Sequence, residues 1–391
     1  MRVLQVIPSL RPESGGPSRS LPELCRALVR TGVDVTLFTT CLPGESLTID
    51  PTREPYQVEL FSSRAGINGA ALKIFAAIKS RSREFELVHI HSVWNSVATL
   101  AAAASRSRRL SYVLAPHGML DNICLLRHPL RKRIYSALLE RLTIEKAARL
   151  QFMSEHESGS SRNGRFRYPE HFVSTNGVDI SPGYVETGAF RRRYAELRDK
   201  QIMLFFGRLH PIKGLDLQLQ ALACLAQKHP SLTWVLAGPD AGEWQRLSRL
   251  VKATGLGARV KWIGLISEPE RFSVLADADV VVQTSFYESH SMTINEALAV
   301  GVPLVVTDTV HREDVERCGA GYCVRREAAA VAGAIDKILR SADRRESMRR
   351  SGRRYAAEKL AWPQIAQALK SAYDEIASVN KQRAQIQIFS N

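Results

Sequence analysis

The sequence predicts an α/β protein made of two doubly wound parallel sheets. Three observations predict it. The chain has 391 residues, more than one hydrophobic core usually serves, so two domains of roughly 180–200 residues are expected. Short runs of Val, Ile, Leu and Phe alternate with helix-length segments throughout, the pattern of parallel strands covered by helices on both faces. A stretch rich in Gly, Pro, Asn and Asp, NGVDISPGYVETG at 176–188, interrupts this alternation, which then restarts.

Before the interruption, strands are expected at Val3–Ile7, Val33–Thr39, Val58–Phe61, Leu87–His91, Tyr112–Ala115, Arg149–Met153 and Phe172–Thr175, with helices near 18–30, 70–81, 93–105 and 130–147. After it, strands are expected at Gln201–Phe206, Thr233–Ala237, Val260–Ile263, Val280–Gln283 and Leu304–Val306, each followed by a helix. The last 65 residues or so read as charged helix. The expected division is 1–175, 176–360 and a closing helix over 361–391. Doubly wound sheets take ligands at the carboxyl ends of their strands, so two Rossmann-like domains facing across a cleft would carry function in their strand-to-helix loops.

Composition excludes several classes. Hydrophobic residues make up 45%, charged residues 24%, and mean hydropathy is −0.15, ordinary values for a globular protein. No apolar run reaches the ~20 residues of a membrane span. The start, MRVLQVIPSLRPESGG, loses its apolar character at Pro8 and lacks a cleavage site, so a buried strand and a cytoplasmic location are expected. The six cysteines show no C-x-x-C and no His at metal-ligand spacing, which argues against a zinc site or a disulfide framework.

A net charge of +15 implies an anionic partner: nucleic acid, membrane or phosphorylated substrate. Its distribution is uneven, since 106–149 alone holds ten Lys and Arg against three acids. Nucleic-acid binding has only this charge behind it, with no aromatic platform or recognised module. Within 130–147, Leu130, Ile134, Leu138 and Leu142 share a helical face beside Arg131, Lys132 and Arg133. Such a stripe ordinarily packs on a sheet. With each cation worth about 1 kcal/mol at an anionic leaflet, residues 127–146 also suit an anionic membrane surface and a lipid-linked acceptor.

Four loops carry chemistry. Gly15-Gly16-Pro17-Ser18 follows the first strand and precedes a helix, so its backbone could approach a phosphate; a plain turn with a Ser cap explains it as well. Ala115-Pro116-His117-Gly118 ends the fifth strand, where His117 either faces the ligand side or is a satisfied core residue. The core reading is favoured for His89 and His91. Gly207-Arg208 and Lys213 bracket a helix start, and two cations beside a positive helix end suit a diphosphate. In QTSFYESHSMTINEALAVGVPLVVTD, Thr293 and Glu296 fit a capping box within the first helical turn. Glu288 has no such role, and a loop carboxylate there suits vicinal hydroxyls.

Together these blocks resemble the family 4 retaining glycosyltransferases of the GT-B fold, in order and over nearly the whole chain. The resemblance implies that Arg208 and Lys213 bind the diphosphate of a nucleotide-sugar donor, with Gly15 and Gly16 closing over it. It implies that Glu296 holds the ribose and that Glu288 contacts the transferred sugar, near the backbone amides of Ser291 and Met292. His117 would orient that sugar. It further implies no metal or other cofactor, an acceptor that is a glycan or lipid-linked, and a final helix, after Tyr355 and Trp362-Pro363, that crosses back onto the first domain. Two departures stand out: Thr175 where Pro usually precedes Asn-Gly-Val-Asp, and His290 where Gly or an apolar residue is common. The competing readings are a sugar-nucleotide epimerase of the same fold and a non-enzymatic sugar-binding protein. A dehydrogenase is disfavoured, because neither half shows a strand-linked G-x-G-x-x-G with an acid about 20 residues later.

Overall fold

The computed structural model describes residues 1–121, 139–161, 166–179 and 187–389, and their side chains except at 268, 269 and 380–389. It comprises two compact units, Met1–Gly177 with Trp362–Asn391, and Val178–Ala361.

In the first unit, seven parallel strands run β1 Arg2–Ser9, β2 Asp34–Thr40, β3 Gln57–Phe61, β4 Leu87–His91, β5 Tyr112–Ala115, β6 Arg149–Phe152 and β7 His171–Val173, in the order β3-β2-β1-β4-β5-β6-β7. Helices α1 Gly16–Arg30, α2 Gly66–Ser80, α3 Ser96–Ser107, α4 Arg141–Glu145 and α5 Glu155–Ser161 connect them. The start of the chain is an inner strand, β1, with Val3, Leu4, Val6 and Ile7 buried. Of the basic helical stripe, residues 127–138 lie outside the described residues; Leu142 is exposed.

In the second unit, α6 Ala189–Arg193 precedes β8 Gln201–Phe206. Then follow α7 Leu215–Leu225, β9 Leu232–Ala237, α8 Trp244–Ala253, β10 Val260–Gly264, α9 Glu268–Ala276, β11 Val280–Gln283, α10 Met292–Val300, β12 Leu304–Thr307, α11 Asp314–Arg317 and β13 Gly321–Val324. The six strands are parallel, in the order β10-β9-β8-β11-β12-β13. Strand β13 has no counterpart in the strands expected from sequence. It is a four-residue edge strand, half exposed beyond Gly321, and so lacks the continuous apolar run that marks its neighbours.

The chain closes with α12 Ala328–Leu339, α13 Ala342–Tyr355 and α14 Trp362–Phe389. Along α14, Trp362, Ile365, Ala366, Leu369, Tyr373 and Ile376 recur at helical spacing and enter one core with Val3, Leu24, Leu28 and Val113 of the first unit. At Gly177 an added Cβ would lie 2.4 Å from the Trp362 ring, so only glycine admits the indole there. No helix among the described residues is long and apolar enough to cross a membrane.

Candidate donor site

In the second unit β8 and β11 are neighbours where the winding reverses, and the loops leaving their carboxyl ends carry the candidate residues. Beyond β8 the chain turns at Gly207. Arg208 is exposed and makes no ion pair or side-chain hydrogen bond with the described residues. A short 3-10 turn, Pro211–Lys213, follows, its Ile212 N–H capped by His210 Nδ1 at 3.1 Å. The Lys213 ammonium meets Oε1 of Glu288, which also accepts from the Ser285 hydroxyl at 2.8 Å.

These partners are 75 residues apart, and the intervening backbone explains their contact. Phe286 N–H donates to the Ile212 carbonyl at 2.8 Å. The Thr284 hydroxyl donates to the Gly214 carbonyl at 3.0 Å and accepts from Gln218 at 3.1 Å, and Gln218 is held in turn by the buried Trp234 indole at 3.1 Å. The two loops are thus sewn together from below by satisfied buried groups. Beside them the Arg326 guanidinium lies 3.5 Å from the centroid of the exposed Phe286 ring.

Helix α10 begins beyond Glu288. Ser291 is its N-cap and Met292 its first residue, so unpaired backbone N–H groups and the positive end of the helix dipole lie there. The expected capping box does not form. Thr293 donates to the Phe206 carbonyl at 3.1 Å, and Glu296 is the fifth helical residue, beyond the first turn. Glu296 is buried and forms a two-pronged pair with Arg271 of α9, at 3.0 and 2.7 Å. Sequence reasoning missed Arg271. Nothing in a helical RFSVLA run marks one arginine as the partner of a glutamate 25 residues on.

His290, the departure from the family pattern, is also anchored. Asn295 Nδ2 donates to its Nε2 at 2.9 Å, Arg312 donates to Asn295 Oδ1 at 3.0 Å, and both oxygens of Asp314 bind Arg312 at 2.8 Å.

In the first unit the candidates stand at the carboxyl ends of β1 and β5. Helix α1 starts at Gly16 with Gly15 as N-cap at φ +99°, and the Ser18 hydroxyl donates back to the Gly15 carbonyl at 2.7 Å. Ser18 is therefore inside the helix and does not cap it. His117 adopts φ +53°, unusual for a residue with a Cβ, and Gly118 follows at +78°. The buried Glu157 secures this turn: one carboxylate oxygen accepts from Gly118 N–H at 2.5 Å, the other from Met153 N–H at 2.6 Å. Burial holds His117 down to about 4, so its ring is neutral at physiological pH. His89 and His91 are fully enclosed and neutral for the same reason.

Burial pushes the Glu157 carboxyl up to about 7, with Asp121 acting in the same direction and the two N–H bonds opposing. A raised folded value favours the protonated form. Its contribution to stability is therefore full below the ordinary carboxyl value of 4.5 and is lost as pH rises through about 7. Glu157→Gln should accordingly gain stability relative to the parent between about pH 5 and pH 8. Melting temperatures of both proteins across that range check it; a difference that stays constant counts against it.

Two family models match the chain in sequence. Residues 15–174 match a glycosyl transferase 4-like domain and residues 187–355 match glycosyl transferases group 1. This chain belongs to the family 4 glycosyltransferases of the GT-B fold. The family resemblance runs through both units. The chain is 25% identical over 399 residues to the D-inositol 3-phosphate glycosyltransferase of Corynebacterium urealyticum, taking in 94% of this chain and 92% of that one. A glycosyltransferase of Methanocaldococcus jannaschii is 25% identical over 217 residues, a match spanning 53% of this chain and 55% of that one. Among solved structures, Anabaena Alr3699/HepE in complex with UDP and glucose superposes with a TM-score of 0.75 at 21% identity, over 96% of this chain and 100% of that one. The sucrose-phosphate synthase of Thermosynechococcus elongatus superposes with a TM-score of 0.76 at 20% identity, over 97% and 100%. Likeness at this level carries the fold.

Proposed function

We propose that this glycosyltransferase moves a hexose-type sugar from a nucleotide-diphosphate sugar to a hydroxyl of a growing glycan or lipid-linked acceptor, with retention of configuration. The observation that carries the reading is the Lys213–Glu288 contact at the carboxyl ends of β8 and β11. It sets a cation and a carboxylate, the two groups a phosphorylated sugar needs, side by side, with exposed Arg208 at the end of β8.

The chemistry follows from the charges. Departure of the nucleoside diphosphate builds negative charge on its terminal phosphate, and Arg208, Lys213 and the amino end of α10 neutralise it without a metal ion. The arriving diphosphate competes for the Lys213 ammonium and frees Glu288 to accept from sugar hydroxyls. Glu296, held by Arg271, has acceptor capacity left for ribose hydroxyls. The acceptor oxygen bonds the anomeric carbon on the face the phosphate leaves, the carbon–oxygen bond to phosphate breaks, and the acceptor proton passes to the departing phosphate oxygen. The cationic excess over 106–149 supports an anionic, lipid-linked acceptor.

A panel of nucleotide sugars, starting with the uridine series because the HepE structure holds UDP and glucose, tests this by thermal shift. At a hundredfold excess over Kd the productive donor stabilises the folded state by about 2.7 kcal/mol and raises its melting temperature by roughly 5–10 °C. Release of nucleoside diphosphate should then depend on added acceptor. Release without acceptor, or no shift from any donor, counts against transfer.

A further inference from the structure

Five polar side chains from β1, β4, α14 and the turn after β5 form one string inside the first unit. His117 Nε2 lies 3.0 Å from His91 Nδ1, and His91 Nε2 lies 2.8 Å from Gln5 Oε1. Gln5 Nε2 lies 3.1 Å from Tyr373 Oη, which lies 2.6 Å from His89 Nδ1. Gln5, His89, His91 and Tyr373 are 0–2% exposed, so His117 is the one member that reaches the surface.

Two opposite proton orders can fill such a string, and the direction of the Gln5 amide selects between them. The three imidazoles are neutral, each with one N–H. Gln5 turns its carbonyl toward His91, so His91 carries its proton on Nε2 and donates it there. His91 Nδ1 is then an acceptor, and only a proton on His117 Nε2 can fill it. At the other end the Gln5 amide donates to Tyr373, whose hydroxyl gives its proton to His89 Nδ1. This leaves the His89 proton on Nε2, buried and without a partner. His117 Nδ1 makes no hydrogen bond with the described residues.

We infer that this string fixes His117 as its Nε2–H tautomer, so that the ring offers Nδ1 as a hydrogen-bond acceptor to the transferred sugar, and that Tyr373 on α14 is a positioning residue for it. The inference rests on the reading of His117 as a sugar-orienting residue. It adds a specificity rule: the sugar must place a hydroxyl, a donor, at this ring. A deoxy sugar loses the bond, and a uronic acid sets its carboxylate against a lone pair.

The full chain with ¹⁵N-labelled histidine tests this by long-range proton–nitrogen correlation spectra, with His117→Asn assigning the ring. Expected for the parent is one His117 tautomer, protonated on Nε2, from pH 6 to 8; a proton on Nδ1 overturns the inference without any variant. In Tyr373→Phe the two nitrogen shifts of His117 should converge toward a mixture, with kcat lower by about tenfold, roughly one hydrogen bond, and donor KM little changed. Ile376→Val, on the same helix, should leave the tautomer as it is. A His117 spectrum unmoved by both Tyr373→Phe and Gln5→Leu also overturns the inference. A mixed tautomer with unchanged kcat keeps the proton order and strikes out the sugar contact, which separates failure of the string from failure of the functional reading.

Discussion

Lys213→Ala lowers turnover by about 10²–10³-fold, the usual cost of removing one group that stabilises developing charge, while the protein stays folded. The ammonium is the partner of Glu288, and both side chains keep some solvent contact, 20% and 12% exposed. Water can therefore take over much of what the pair contributes to stability. The loops remain joined through Phe286, Thr284 and Gln218, none of which needs the lysine. For the proposed reaction the loss is double: the cation assigned to the leaving diphosphate would be gone, and the Glu288 carboxylate would be left to repel it. Steady-state kinetics with saturating donor, beside a melting curve, decide the matter. Near-parental turnover in a folded variant would refute the assignment.

Gly238→Ala should strike the second unit harder than any surface change. Gly238 has φ +142°, and an added Cβ would stand 2.0 Å from the Gly207 carbonyl oxygen. The backbone cannot retreat, because Gly238 N–H donates to the Gly264 carbonyl at 2.7 Å and the Gly238 carbonyl accepts from the Trp262 indole at 2.9 Å. Gly207 is likewise tied to Ala237 at 2.8 Å. Strained backbone and overpacking together cost about 2–6 kcal/mol, or roughly 5–20 °C in a unit of this size. Any relief comes from moving the Gly207–Arg208 turn, so donor affinity should fall as well. Calorimetry should show one transition lowered, and titration with donor should show weaker binding. Parental values of both would mean that the strand ends yield more readily than the hydrogen bonds imply.

How much of this was legible in advance differs element by element. Leu87–His91, Tyr112–Ala115, Gln201–Phe206 and Val280–Gln283 stand where the apolar runs placed them, because an inner parallel strand is buried on both faces and must be apolar throughout. Ends were less legible. Helix α1 begins two residues before its expected start and α2 four residues before, at glycines that carry no capping side chain. Strand β13 escaped because an edge strand needs only one buried side.

For the site, loop chemistry marked Arg208, Lys213, Glu288 and Glu296, yet not which of them touch. The capping box at Thr293 and Glu296 was a sound local inference that lost to tertiary partners, Phe206 for one and Arg271 for the other. His89 and His91 looked like ordinary core residues, and in burial they are. Their place in the string that joins Tyr373 to His117, His91 through Gln5 and His89 at its far end, depends on a helix 284 residues away in the chain.

Periodicity and turn chemistry are local properties, so the chain alone determined two parallel α/β sheets and the loops that carry charge. Pairing across 75 or 284 residues is set by how helices and strands pack, and no local pattern encodes it. Only the tertiary structure could therefore decide that Lys213 answers Glu288, that Arg271 holds Glu296, and that the tail helix reaches the histidines of the first sheet.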